Sequence, residues 1–258
     1  MDVTRWSAAP RKASAAPARW NWPGLAPASP CWPVPPKRCR HWPTNCRARM
    51  PTSITTGAAW TCTTTAALRD AAAALVADAP VQILVNNTGG PPGGPAHMAD
   101  AAAFETAFRQ HLLAGQTLVQ ALLPGMREAA YGRIVNVIST SVKEPIAGLG
   151  VSNTVRAAVA GWAKTLSGEL AADGITVNNV LPGYTRTARL DDILATRIKA
   201  SGREEDAVTR DMLATVPARR FGEPEEVAAV IAFLCTQAAA YVNGVSIAVD
   251  GGRTRALS

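Results

Sequence analysis

The stretch that decides the fold runs from Gly132 to Leu166 and reads GRIVNVISTSVKEPIAGLGVSNTVRAAVAGWAKTL. Its first residues form a short apolar, β-branched run, which is typical of a buried strand. The run stops at the hydroxyl residues 139–141, and a long helical pattern begins at Gly150. This succession predicts a strand followed by a helix, which is one unit of an α/β sheet.

Three polar side chains of this stretch are placed to form a site. Ser152 and Arg156 are four residues apart in the helical pattern, so they share one face of the helix. Ser139 directly follows the predicted strand, and ligands of open parallel sheets bind beyond the carboxyl ends of the strands. We therefore expect a binding or catalytic site around these three residues.

The rest of the chain repeats the alternation of strands and helices. Apolar runs closed by turn residues predict strands, and apolar residues at helical spacing predict helices. This order favours an α/β fold with one doubly wound parallel sheet, right-handed crossovers and a mobile helical lid over residues 190–215. We expect strands at 81–85, 132–138, 175–181 and 245–249, and helices at 66–77, 101–123, from 150 onward and at 224–234.

The net charge of +7 is confined to the first part of the chain. Residues 1–62 carry nine basic side chains and one acidic side chain, whereas residues 63–258 carry seventeen basic and eighteen acidic side chains. The later residues are near neutral and give no reason to expect a nucleic-acid partner. The sequence has no run of eighteen apolar residues and no basic-then-apolar signal pattern, so we expect a cytoplasmic protein without membrane contact.

Residues 1–62 also differ from the rest in composition. They hold six of the seven tryptophans and four of the five cysteines, without helical or strand periodicity. A disordered basic tail, a Cys/His metal module and an RNA-binding arm are three alternatives, each with weak support. The remaining cysteine, Cys235, supports neither a disulfide framework nor a metal site.

A fourth interpretation is that residues 1–62 are the product of a GC-rich gene translated in the wrong frame. A shifted codon consists of the third base of one residue's codon and the first two bases of the next residue's codon. Such codons must encode Glu-Leu-Ala across residues 20–23, and they permit Gly-x-x-x-Gly-Ile-Gly across residues 8–15. A glycine turn before a helix is what binding of a pyrophosphate requires, and the chain as translated has no such turn. We therefore favour a frameshift, with one insertion or deletion near residues 63–65.

Residues 66–252 resemble the short-chain dehydrogenase/reductase family. The resemblance is carried by VNNTG at 85–89, GRIVNVIS at 132–139, ITVNNVLPGYTRT at 175–187, and GEPEEVAAVIAFL with VNGVSIAVDGG within 222–252. It implies a single Rossmann-type domain that moves a hydride between NAD(P) and a carbonyl or alcohol, usually in a tetramer. The domain would span residues 63–258, with the N-terminal βαβ unit absent or garbled because residues 1–62 are aberrant.

The resemblance also implies roles for individual residues. Ser139 would hold the substrate oxygen, and Arg156 would contact both the cofactor ribose and the reacting oxygen. The remaining cofactor contacts would be Asn86, Asn87 and Gly89 on the adenosine side, and Pro182, Gly183 and Thr187 beside the nicotinamide.

The chain departs from the family at the catalytic positions. The family has a Ser, a Tyr-x-x-x-Lys motif thirteen residues later and a helix Asn, whereas this chain has Ser152, Arg156 and His111 in the last three places. A Ser hydroxyl is far less acidic than a Tyr phenol, whose pKa is about 10, and Arg is a poor proton relay. The predicted catalytic set is Ser139 with these three residues. The proton donor stays open between His111, a water held by Ser152, and Tyr184.

The shifted codons also bear on the cofactor. The shifted codon must encode Ala at the Trp32–Pro33 junction, and it can encode Cys, Arg, Ser or Gly at the Pro33–Val34 junction. Neither codon allows an acid, and the resemblance implies that an acid at this position selects NAD whereas Arg favours NADP. We therefore expect NADP, no metal, and a small carbonyl or alcohol substrate in a 3-oxoacyl-reductase-like homodimer or tetramer. The alternatives are a non-catalytic dinucleotide-binding protein and a defective chain without a cofactor site.

Overall fold

The computed structural model describes residues 65–257, so the segment 1–62 and the predicted N-terminal βαβ unit lie outside the described residues. Within this range, four parallel strands form one sheet in chain order, which confirms the predicted α/β fold. The strands are β1 (Ile83–Asn87), β2 (Gly132–Val137), β3 (Ile175–Pro182) and β4 (Ser246–Val249). The α-helices are α1 (Thr65–Asp78), α2 (Ala101–Phe108), α3 (Ala114–Glu128), α4 (Gly150–Leu170), α5 (Ala188–Ser201), α6 (Glu205–Ala214) and α7 (Pro224–Leu234).

The two inner strands are covered on both faces. In β2 the neighbouring side chains Ile134 and Val135 point to opposite faces, and both are buried. In β3 the same is true of Val177 and Val180. Burial on both faces explains why apolar residues occupy adjacent positions in these strands instead of only every second position.

Each face of the sheet packs against its own set of helices. On one face, Ile134 and Val177 pack with Val119 of α3 and Ala163 of α4. On the other face, Val135 and Val180 pack with Val227 and Leu234 of α7. Helices on both faces make this a doubly wound sheet.

The crossovers do not all have the same hand. The strands follow one another in a single direction across the sheet, but α3 and α4 cover one face and α7 covers the other. The β3–β4 connection therefore has the opposite hand from the β1–β2 and β2–β3 connections. The expectation that every crossover is right-handed is wrong for this reason, although right-handed crossovers are the general rule.

The predicted lid is formed by two helices with a small core of their own. Leu190 of α5, Val208 and Met212 of α6, and Phe221 are buried together, and Tyr184 packs against them. The residues 190–215 are thus helical as expected. Their buried contacts hold α5 and α6 beside the carboxyl ends of the strands.

Helix α4 begins at a close contact that fixes its position. A Cβ atom on Gly150 would lie 2.3 Å from the backbone nitrogen of Ala96, so only glycine allows the two segments to approach in this way. The contact holds the first turn of α4, which carries Ser152, against the segment that follows β1. Among the described residues, no helix is long and apolar enough to span a membrane.

Candidate active site

A cavity of about 930 Å³ opens at the carboxyl ends of the strands. The turns after β1, β2 and β3, the first turns of α4 and the helices α5 and α7 line it. The position is the one that open parallel sheets use for ligands. Ser139, Ser152 and Arg156 all line this cavity, as the sequence predicts.

Ser152 and Arg156 are in direct contact on one face of α4. The Arg156 Nε donates a hydrogen bond to the Ser152 Oγ at 3.3 Å, and its Nη1 donates to the backbone oxygen of Val137 at 3.4 Å. Burial, followed by the neighbouring Arg189 guanidinium, lowers the pKa of Arg156 to about 10. The side chain therefore remains charged at neutral pH, and it can stabilise a negatively charged oxygen.

Ser139 is held by the start of the next turn. Its Oγ accepts a hydrogen bond from the backbone nitrogen of Ser141 at 3.1 Å, which caps a short 3₁₀ turn at Thr140–Val142. This bond uses a lone pair and leaves the hydroxyl hydrogen of Ser139 available. The hydroxyl can thus donate to a substrate oxygen in the cavity.

His111 lies behind the cavity and does not line it. It sits in a π-helical turn, Arg109–Leu113, that joins α2 to α3, and its Nδ1 contacts the hydroxyl of Thr88. Burial, followed by the charge of Arg156, lowers the pKa of His111 to about 4. The imidazole is therefore neutral at neutral pH and holds few protons to give to a substrate. Its predicted catalytic role stays a prediction, and its contacts are those of a positioning residue.

Asn86 also lies outside the cavity lining and belongs to an amide ladder across the sheet. Its Nδ2 donates to the Oδ1 of Asn136 at 2.9 Å, and the Nδ2 of Asn136 donates to the Oδ1 of Asn179 at 3.0 Å. The Nδ2 of Asn179 then donates to the Oγ of Ser246 at 3.1 Å. The Asn86 amide is thus hydrogen-bonded within the sheet, and it does not line the cavity in which the predicted adenosine contact would form.

The other residues predicted to contact the cofactor do line the cavity: Asn87, Gly89, Pro182, Gly183 and Thr187. A Cβ on Gly89 would meet no atom within 4 Å, so the space beside this backbone is open. A Cβ on Gly183 would lie 2.6 Å from the Cβ of Asp250, so glycine is needed there for the two turns to pack. Their roles as cofactor contacts stay predictions, and no glycine-rich turn for a pyrophosphate occurs among the described residues.

Tyr184 brings a phenol into the same cavity. Its hydroxyl accepts a hydrogen bond from the Arg197 Nη2 at 3.2 Å, and the Arg253 guanidinium lies 4.7 Å from the centre of its ring. Its ring packs edge-on against Phe221, which fixes its orientation. Of the proton donors that the sequence leaves open, Tyr184 is therefore one that reaches the cavity. In residues 65–257, no group of three or more His, Cys, Asp or Glu side chains could hold a metal ion.

The parallel sheet with helices on both faces and a cavity at the strand ends are those of a Rossmann-type α/β protein. Residues 53–254 match the family model described as enoyl-(acyl carrier protein) reductase. The chain therefore belongs to the short-chain dehydrogenase/reductase family. The match begins at residue 53. It therefore includes residues 53–62, which belong to the segment that the frameshift interpretation places in the wrong frame.

Individual relatives agree with this assignment. The chain is 34% identical over 172 residues to 3-oxoacyl-(acyl-carrier-protein) reductase FabG of Vibrio cholerae, which covers 67% of this chain and 66% of the relative. It is 29% identical over 180 residues to the NADPH-dependent reductase BacG of Bacillus subtilis, which covers 69% and 68%. The chain thus spans about two thirds of the length of these curated relatives.

A solved structure supports the fold. The crystal structure of L-sorbose reductase from Gluconobacter frateurii, complexed with NADPH and L-sorbose, has a TM-score of 0.69 to this chain at 29% sequence identity. The similarity covers 75% of this chain and 74% of that one. The described sheet and helices therefore have the arrangement of a Rossmann-type reductase.

Proposed function

We propose that the protein is an NADP(H)-dependent oxidoreductase that reduces a small carbonyl compound or oxidises the corresponding alcohol. The observation that carries the proposal is the convergence of Ser139, Ser152 and Arg156 on one cavity beside the Pro182–Gly183 turn. The relatives include an NADPH-dependent reductase and a reductase complexed with NADPH, which supports NADP as the cofactor. The shifted codons at residues 32–34, which allow Arg and no acid, agree with this choice.

The chain's own residues would bind and polarise the substrate oxygen. The dinucleotide supplies or accepts the hydride when bound, with Asn87, Gly89 and Thr187 among its contacts. The free hydroxyl hydrogen of Ser139 would donate to the substrate oxygen, and the Arg156 guanidinium would stabilise negative charge on it. The proton would come from a water held by Ser152 or from the Tyr184 phenol, since the neutral His111 lies behind the cavity.

The pyrophosphate end of the dinucleotide requires the shifted-frame residues. The Gly-x-x-x-Gly-Ile-Gly turn that these codons permit would present backbone N–H groups to the phosphates. We propose that the functional protein carries this turn, and that it acts as a homodimer or homotetramer. Light scattering of the frame-restored protein measures the mass of the assembly and tests the second statement.

A non-catalytic dinucleotide-binding protein is the second candidate function. The observation that favours it is the Ser152–Arg156 pair itself, because the Ser152 hydroxyl already accepts a hydrogen bond from Arg156 and is a weak acid. In that case the protein binds NADPH but transfers no hydride.

Turnover by the frame-restored protein separates the two candidates. We expect it to oxidise NADPH with at least one member of a panel of ketones and aldehydes. The loss of absorbance of the reduced nicotinamide measures this reaction. Ser152→Ala should lower kcat if Ser152 holds the proton-donating water. NADPH binding without turnover across the panel would contradict the enzyme proposal. In that case, activity gained by the double variant Ser152→Tyr/Arg156→Lys would favour a non-catalytic protein whose cavity still positions a substrate.

A further inference from the structure

Arg253 brings a positive charge into the cavity from the segment that follows β4. Its guanidinium lies 4.7 Å from the centre of the Tyr184 ring, and its Nη1 donates a hydrogen bond to the Thr140 Oγ1 at 3.4 Å. Thr140 directly follows Ser139, and all of these residues line the cavity. The charge is therefore held on the side of the cavity where the proposed function places the substrate oxygen.

The guanidinium of Arg253 keeps unused hydrogen-bond donors. Its Nε is buried and has no hydrogen-bond partner in residues 65–257, and the hydrogen bond from its Nη1 goes to an uncharged hydroxyl. Its Nη2 also donates no hydrogen bond to a described residue, but this atom is not buried. A ligand in the cavity can therefore accept a hydrogen bond from Nη2.

No carboxylate of the described residues forms an ion pair with Arg253. The ion pairs within this part of the chain use other arginines. Asp250 and Glu144 are the acids that contact the same segment, and their carboxylates accept hydrogen bonds from backbone nitrogens of residues 252–255. A guanidinium in a cavity without an ion-pair partner favours the binding of an anion.

The lining around Arg253 is positively charged as a whole. Its described residues include four arginines and a single acid, Asp192, which forms no ion pair with any of them. The Arg197 Nη2 donates to the Tyr184 hydroxyl at 3.2 Å, so this hydroxyl keeps its hydrogen for a ligand. Both the net charge and the free donors of this lining suit an anion.

The position of Arg253 in the fold separates it from the predicted adenosine contacts. The strands follow one another in chain order across the sheet, and Asn87 and Gly89 lie at the end of β1. Arg253 follows β4 at the opposite edge of the described sheet, and it contacts the turns after β2 and β3. An anion at Arg253 therefore belongs to the substrate rather than to the phosphates of the dinucleotide.

We propose that Arg253 binds the carboxylate of an oxo acid, or of the corresponding hydroxy acid, on the Ser139 side of the cavity. This inference rests on the proposed function and names its substrate class. A carboxylate is favoured over an uncharged group because arginine offers it charge-assisted hydrogen bonds. The hydroxyl hydrogen of Ser139 remains free to donate to the carbonyl oxygen of the same molecule.

Calorimetry on the full 258-residue chain tests the proposal without turnover. The probes are 2-oxobutanoate, 3-oxobutanoate and 4-oxopentanoate, each paired with its uncharged amide of nearly the same size. We expect at least one acid to bind about tenfold more tightly than its amide, since charge-assisted hydrogen bonds are stronger than neutral ones. The proposal is overturned if no acid binds measurably, or if every amide binds as tightly as its acid.

A pair of variants in the C-terminal segment localises the effect. Arg253→Gln should weaken binding of the preferred acid about tenfold and leave its amide unaffected, because the charged donor is lost. Arg255→Gln is the matched control, since Arg255 is an exposed residue of the same segment and lies outside the cavity lining. We expect it to leave both affinities unchanged. An equal loss of acid binding in the two variants would mean that only the net charge matters, which contradicts the proposal.

The comparison of acid with amide also separates a lost contact from a distorted cavity. Arg253 packs against Tyr184, so a distortion caused by Arg253→Gln would weaken the acid and the amide equally. Arg253→Lys keeps the charge without the forked geometry, and it should retain part of the preference for the acid. Equal losses in Arg253→Gln together with no preference for the acid in Arg253→Lys would refute the carboxylate site.

Inorganic pyrophosphate distinguishes the substrate from the cofactor as the source of the anion. If Arg253→Gln weakens binding of pyrophosphate but not of the acid, Arg253 serves the cofactor and the inference fails. If the acid binds as expected but the frame-restored protein never oxidises NADPH, the carboxylate site stands and the proposed function fails. If that protein oxidises NADPH with uncharged ketones and with no oxo acid, the proposed function stands and the inference fails.

Discussion

The amide ladder inside the sheet and the arginine-rich cavity at its end use polar groups in opposite ways. In the ladder, Asn86, Asn136 and Asn179 satisfy one another along the strands. At the cavity, by contrast, the buried Arg253 Nε has no hydrogen-bond partner within the described chain, and Arg156 and Arg189 have no counter-charge there. Polar groups that stabilise a fold are paired within it, whereas groups that bind a ligand are left for the ligand to pair.

The largest effect on stability is expected in the ladder. Asn136→Ala removes the central amide and leaves the Asn86 Nδ2 and the Asn179 Oδ1 without their partners in the sheet. We expect a loss of about 4 kcal/mol in the free energy of unfolding, measured by urea titration, because each unsatisfied buried group costs about 1–3 kcal/mol. The control Gln120→Ala removes an exposed amide and should change stability by less than about 0.5 kcal/mol. A loss below about 1 kcal/mol in Asn136→Ala would show that the hydrogen bonds of the ladder contribute little to the free energy of unfolding.

A smaller effect is expected behind the cavity, at His111. Its pKa is lowered from 6.5 to about 4, so between these values the unfolded chain binds a proton that the folded chain does not. The free energy of unfolding should therefore fall as the pH decreases through this window, by at most about 3 kcal/mol, and change no further from this group below about pH 4. His111→Asn should flatten the pH dependence, and the exposed His97→Asn should preserve it. A steep loss that persists in His111→Asn would assign the titration to another group.

Much of the fold follows from local sequence patterns. The apolar run at 132–138 and the helical spacing from Gly150 predict β2 and α4, and the four-residue spacing predicts that Ser152 and Arg156 meet. These features depend on residues close together in the chain. Local periodicity is therefore sufficient to predict them.

The features that the sequence does not predict depend on distant residues. The Asn86–Asn136 hydrogen bond requires the parallel register of β1 and β2. The sequence shows only that each of these strands contains an Asn. The proximity of Arg189 to Arg156 depends on how α5 packs beside α4, and the hand of the last crossover depends on which face α7 covers. None of these arrangements is encoded by the spacing of residues along a single element.

The most direct test is a titration of NADPH into two proteins, in which binding is measured by the fluorescence of the reduced nicotinamide. One is the 258-residue chain, and the other is the product of the same gene with the frame of residues 1–62 restored. We expect saturable binding by the restored protein and at least a hundredfold weaker binding by the 258-residue chain, because only the former has the glycine turn whose backbone N–H groups bind the pyrophosphate. Equally tight binding by the 258-residue chain would show that residues 1–62 are not a misread cofactor site.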